Sequence, residues 1–190
     1  MRIGMTLAVG VGIASLACAC TSATPTPAPS ASTSTSQPVP AEVVLSGQGA
    51  AGHAFGSEAG DVEPTLRDSL GDPSQVTENA GCPLNPIWTK LMRWQGLTIT
   101  FEGDTAARTS QTKLSSWQLR PDQGVPVGVT LADDLPLTPT FAELTTQHPD
   151  ANLEQQLGWY VMELPEGVSY IGEDRTSPST IQGGPLRWCE

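Results

Sequence analysis

Apolar side chains follow three different rules along this chain. Ile3 to Leu16 run without a charge, Thr21 to Ala41 hold nothing larger than Gln or Val, and from Glu42 onward apolar residues recur at helical and strand periods. Val43-Val44-Leu45 is a short apolar run closed by the glycine-rich Ser46 to Gly52, read as a flexible loop. Asp61 to Leu70 then carries the strongest helix pattern: Val62, Leu66 and Leu70 stand at i, i+4 and i+8. Asp61 serves as N-cap, Pro64 falls in the first turn, and Gly71 with Pro73 stops the helix. A second helix is predicted over Thr140 to Gln147, where Thr140 and Glu143 form a capping box, Phe141 and Leu144 share a face and Pro149 ends the run.

Strand patterns follow each helix. After the first come Ile87 to Trp94, Leu97 to Phe101 and Leu114 to Leu119. After the second come Trp159 to Leu164, Val168 to Ile171 and Leu186 to Cys189. Leu97, Ile99 and Phe101 alternate with Thr98 and Thr100, the period of a strand with one face buried. Glu102-Gly103-Asp104 and Pro165-Glu166-Gly167 supply turns.

This order predicts an α+β fold: two tandem helix-plus-antiparallel-sheet repeats, 42–122 and 123–190, forming one domain. The helix ending Leu70-Gly71-Asp72-Pro73 and its echo at His148-Pro149 carry the comparison. On them the chain resembles the tandem-repeat fold of β-lactamase-inhibitor proteins and of small outer-membrane-assembly lipoproteins. No inhibitor contact residue maps onto this sequence, so the resemblance implies an architecture and not β-lactamase binding.

The first 41 residues change the picture most. Arg2, the apolar run and Ala17-Cys18-Ala19-Cys20 form the three parts of an export signal. The run is 14 residues long, short of the roughly 20 that span a bilayer core. Ser15-Leu16-Ala17-Cys18 and Ala17-Cys18-Ala19-Cys20 resemble the lipobox of bacterial lipoproteins. That resemblance implies a signal peptide over 1–19, a diacylglycerol thioether on Cys20 (or Cys18) and attachment to the cell membrane. The same residues also fit an ordinary signal cut near Ala19, which would leave a secreted protein. Residues 20–41, with five Pro and no charge, read as a disordered Thr/Pro/Ser tether, since they bury too little apolar area to offset ordering. Lipobox plus tether resembles lipoproteins of high-GC Gram-positive bacteria.

With Arg2 the one charge before Glu42, residues 42–190 carry 8 basic and 20 acidic side chains, net −12. The basic residues are scattered, so nucleic acid is excluded as a partner. The expected partners are the membrane through the lipid and an envelope protein or glycan. Cys82 and Cys189, the pair left outside the export signal, are read as a disulfide. Closing a loop of about 100 residues would contribute roughly 4–5 kcal/mol in the chain-entropy model.

Candidate chemistry is thin. Gly47-Gln48-Gly49-Ala50-Ala51-Gly52 matches G-x-G-x-x-G, but no helical pattern opens after it, so a dinucleotide site is rejected. His53 and His148 are the two imidazoles, and neither accompanies a G-x-S-x-G nucleophile. Asp133-Asp134 and Glu173-Asp174 lack calcium-loop spacing and read as solvated turns. No catalytic residue, cofactor or metal site is read from the sequence. Trp88, Trp94, Trp117, Trp159 and Trp188 fall in strand segments and read mostly as core, with one or two as surface anchors. The functional reading is a non-catalytic binding domain at the cell surface. Its alternative is an envelope hydrolase using paired carboxylates such as Glu163 and Asp174.

Overall fold

The computed structural model describes residues 42–79, 86–109 and 111–186. They belong to one compact unit, Pro38–Glu190. In chain order the strands are β1 (Val43–Ser46), β2 (Gly49–Ala50) and β3 (His53–Ala54), followed by helix α1 (Ala59–Leu70). Next come β4 (Gln75–Asn79), β5 (Thr89–Trp94), β6 (Leu97–Glu102), β7 (Lys113–Leu119) and β8 (Val129–Leu131). Helix α2 (Phe141–Gln147) precedes β9 (Leu153–Gln156), β10 (Trp159–Glu163), β11 (Val168–Gly172) and β12 (Thr180–Gly183).

The strands form an eight-stranded antiparallel sheet, ordered β4-β5-β6-β7-β12-β11-β10-β9, and a four-stranded sheet, β3-β2-β1-β8. The expected α+β pair of helix-plus-sheet repeats is therefore incorrect: the protein is mostly β, with two sheets and two helices among the described residues. Two pairings cause the difference. β7 and β12 join through Leu119↔Ile181 and Gly183↔Trp117, so their edges fuse into one sheet instead of closing two smaller ones. Val43–Leu45 and Val129–Leu131 pair in parallel and found the second sheet, which no local pattern announced. Both contacts satisfy strand edges that would otherwise stand open.

One face of the large sheet is the core. Trp94, Leu97, Leu119, Ile181, Tyr170 and Met162 face one another in a row across six strands, each at most 4 % exposed. α1 lies over β5–β7, burying Ala59, Val62 and Leu66; Trp94 Nε1 donates to Gly71 O at its end, 2.8 Å away. The β1–β2 hairpin sits against β7 and β12, where Trp117 Nε1 donates to Ser46 O at 2.7 Å. α2 reaches β11, with Phe141 against Gly172. The glycine-rich stretch is thus not a flexible loop: Leu45↔Ala50 and Ala50↔His53 fold it into β1, β2 and β3. Leu114 and Trp117, three apart, share the core face because a bulge shifts the register between Thr100↔Ser116 and Phe101↔Leu114.

The helix boundaries test the local reading. α1 starts earlier than its pattern indicated, with Glu58 as N-cap, so Pro64 lies inside the helix rather than in its first turn. α2 is capped as expected. Thr140 N and Oγ1 donate to Glu143 Oε2 at 2.7 and 2.9 Å, and Glu143 N returns a bond to Thr140 Oγ1 at 3.2 Å. The backbone bond from Thr140, and then its hydroxyl, hold the Glu143 carboxyl below its ordinary value of 4.5. A depressed folded value means that this stabilisation is complete above pH 4.5 and is lost as pH falls through the folded value. Glu143→Gln is expected to lower the thermal midpoint at neutral pH, the gap to wild type closing in strong acid. A gap independent of pH would show that the carboxylate charge plays no part.

Candidate functional site

The face of the large sheet opposite the core is lined by the alternate positions of the same strands. Gln75, Arg93, Thr98, Gln118, Gln182, Ser169 and Glu163 form a row across seven strands, each the direct partner of the next. A second row runs Thr77, Leu91, Thr100, Ser116. These side chains are mostly neutral hydrogen-bonding groups, with Arg93 and Glu163 toward opposite ends of the first row. They belong here because the strand period is two: each core residue of β5, β6 and β7 hands its neighbour to the other side.

The two halves of this face differ. Over β10–β12, Val161 (1 %) and Ile171 (5 %) are withdrawn from solvent, as are Ser169 and Thr180. The Gln182 amide, also buried, donates to Pro185 O at 3.0 Å. Over β4–β7, Gln75, Arg93 and Gln118 are exposed, and Thr77, Leu91, Thr98, Thr100 and Ser116 half-exposed. Ser115, at the bulge, donates to Glu102 Oε2 at 2.7 Å. Four strands of five to seven residues make a platform about 20 Å on a side, from strand spacings of about 4.8 Å and rises of about 3.3 Å.

The other sequence candidates are scattered. Cys18 and Cys20, the expected pairing of Cys82 with Cys189, and Trp188 lie outside the described residues. His53 Nε2 stands 3.1 Å from Thr65 Oγ1 of α1, tying β3 to the helix. His148, at the end of α2, places Nδ1 3.9 Å from Glu166 Oε1. Beside them Tyr170 is buried and donates to Pro136 O at 2.8 Å; burial first, and the Glu166 charge second, raise its phenol far above the usual range. Glu163 and Asp174 sit at opposite ends of the β10–β11 hairpin, as Glu163↔Ser169 and Tyr160↔Gly172 require. Asp174 accepts from Thr176 N at 2.6 Å and Ser177 N at 3.3 Å, and those backbone bonds lower its carboxyl. The hydrolase pair is not brought together.

Asp133 and Asp134 are exposed in a short 3-10 turn, both with positive φ. Trp94 and Trp117 are core, while Trp88 and Trp159 are half-buried. The platform's Gln118 and Arg93 escaped the sequence reading, although the Thr98/Thr100 alternation marks the side to which they belong.

The fold and platform define a mostly β domain with one polar sheet face open over β4–β7. Among the described residues no three His, Cys, Asp or Glu side chains converge as metal ligands, and no helix is long and apolar enough to cross a membrane. Comparison with family models, curated proteins and solved structures finds no match to this chain.

Proposed function

We propose that this protein is a lipid-tethered, extracytoplasmic binding protein that presents the polar platform over β4–β7 to another envelope protein. The open platform carries the reading. It is open and about 20 Å wide, a footprint suited to a macromolecule rather than to a small ligand, which takes a concave site. Its area, about 400 Å² a side, falls below that of stable interfaces and in the range of weak, transient encounters. Thr, Ser and Gln side chains give directional bonds without the desolvation cost of buried charge. The export signal and lipobox supply the address. Two acyl chains hold such a protein at the membrane, each buried methylene contributing about 0.8 kcal/mol.

Crosslinking on native membranes tests the reading in two arms. Thr98→Glu with Gln118→Arg, both away from the core face and alternating in charge with Arg93 along the row, is expected to abolish the crosslinked species that wild type forms while leaving the unfolding midpoint unchanged. Cys18→Ala with Cys20→Ala is expected to release the protein into the medium or block its processing. A crosslinked species that survives the platform changes overturns the platform. Membrane association that survives loss of both cysteines overturns the lipid tether.

A further inference from the structure

On the core side of the same sheet, where α1 overhangs β4 and β5, lies a cleft of about 550 Å³. That volume is within the range of roughly 300–1,000 Å³ typical of small-ligand sites. Glu63, Arg67 and Asp68 line it from α1, Glu78 from β4, Lys90 from β5 and Trp88 from just before β5. Lys90 Nζ donates to Glu63 Oε1 at 2.6 Å, both side chains about four-fifths buried. Arg108 donates to Glu78 Oε2 at 3.0 Å and lies over the Trp88 ring, 5.9 Å from its centre. Arg67 pairs outward with Asp72. At Gly60, on the cleft wall, nothing lies within 4 Å of where a Cβ would stand.

We infer that this cleft binds a neutral saccharide of one or two rings. The charges narrow the class. Each cation at the cleft is already held by a carboxylate, Lys90 by Glu63, Arg108 by Glu78 and Arg67 by Asp72, while Asp68 is exposed. An anionic ligand would have to break one of those pairs to reach a cation. A polyol leaves the buried Lys90–Glu63 pair closed: its hydroxyls accept from Lys90 and donate to the Glu63 and Glu78 carboxylates as charge-assisted bonds. Trp88 supplies the second element of sugar recognition, since the weakly positive C–H face of a pyranose matches the negative face of an indole. Arg108, 77 % exposed, gives up its pair with Glu78 and its seat on that ring to admit the sugar, a small cost for an ion pair at the surface. The Lys90–Glu63 bond also ties α1 to the sheet, so the site is formed before the ligand arrives.

This site lies on the other side of the sheet from the protein platform and stands independently of it. Calorimetric titration of the full chain in detergent with glucose, N-acetylglucosamine, maltose and chitobiose tests it, with ethanolamine and inorganic phosphate as cationic and anionic probes. At least one sugar is expected to bind saturably, and Trp88→Ala to weaken it at least about tenfold. Because removing Trp88 also alters packing, Gly60→Leu is the cleaner variant. It fills the cleft from an open position on the helix and is expected to weaken binding by a similar factor with the unfolding midpoint retained. Saturable binding by none of the sugars, undiminished binding by Gly60→Leu, or binding of ethanolamine or phosphate in their place would each overturn the assignment.

Discussion

Trp117→Ala is expected to cost about 3–5 kcal/mol of folding stability, the range for emptying a buried large aromatic site. Trp117 is fully buried. It faces Ile99 on β6 and Gly183 on β12, and its indole N–H donates to Ser46 O at 2.7 Å. One side chain therefore joins the centre of the large sheet to the β1–β2 hairpin. Gly183 makes the seat possible: a Cβ there would stand 2.4 Å from Trp117 Nε1 and 2.7 Å from Ser46 O. Domains of this size hold only about 5–15 kcal/mol in all, so a large part of the margin goes. Urea unfolding measures it. Trp117→Phe refills most of the volume but orphans the Ser46 carbonyl, and a smaller loss of about 1–3 kcal/mol is expected. A loss below about 1 kcal/mol for Trp117→Ala would mean that the two sheets are not locked through this residue.

Gly47→Ala is expected to destabilise by about 3 kcal/mol or more, at the upper end of overpacking effects. The added methyl would stand 1.9 Å from Glu166 O and 2.5 Å from Gly167 C. These are backbone atoms of the β10–β11 turn, so no rotamer relieves the clash and one of the two turns must retreat. Gly52 provides the contrast. Its φ is +79° and nothing lies within 4 Å of its Cβ position, so Gly52→Ala meets only the left-handed backbone penalty of about 1–2 kcal/mol. Denaturant midpoints for the two variants separate contact from conformation. Equal losses would show that the β1–β2 turn does not press on Glu166 as described.

What was legible in the sequence tracks how far each interaction reaches along the chain. The α2 cap at Thr140 and Glu143 spans three residues, and it formed as its pattern indicated. β6 emerged from the alternation of Leu97, Ile99 and Phe101. β4, Gln75–Asn79, escaped because an edge strand with five solvent-facing or half-exposed positions needs no apolar alternation. The strand expected over Leu186 to Cys189 lies, beyond Leu186, outside the described residues, while β12 escaped because Thr180-Ile181-Gln182-Gly183 holds a single large apolar side chain. Its neighbours across the sheet, not its composition, make it a strand.

The candidate sites divide in the same way. Glu63 and Lys90 are 27 residues apart and meet at 2.6 Å, and neither stands out in its own segment. Gln118 looks like any exposed strand residue until Thr98 and Gln182 flank it. Glu163 and Asp174, close in the chain, are separated because the hairpin sends them to opposite ends.

By itself the sequence determined the acidic charge balance, the α2 cap and the inward faces of the central strands, and it carries the pattern read as an export signal. Each depends on composition or on residues within a turn or two of one another. Tertiary structure alone decided that β7 would meet β12 and that Val43–Leu45 would pair with Val129–Leu131, so that two expected repeats became one large sheet and one small one. Those choices depend on which distant edges find partners, a global competition to satisfy backbone hydrogen bonds that no short window of residues contains.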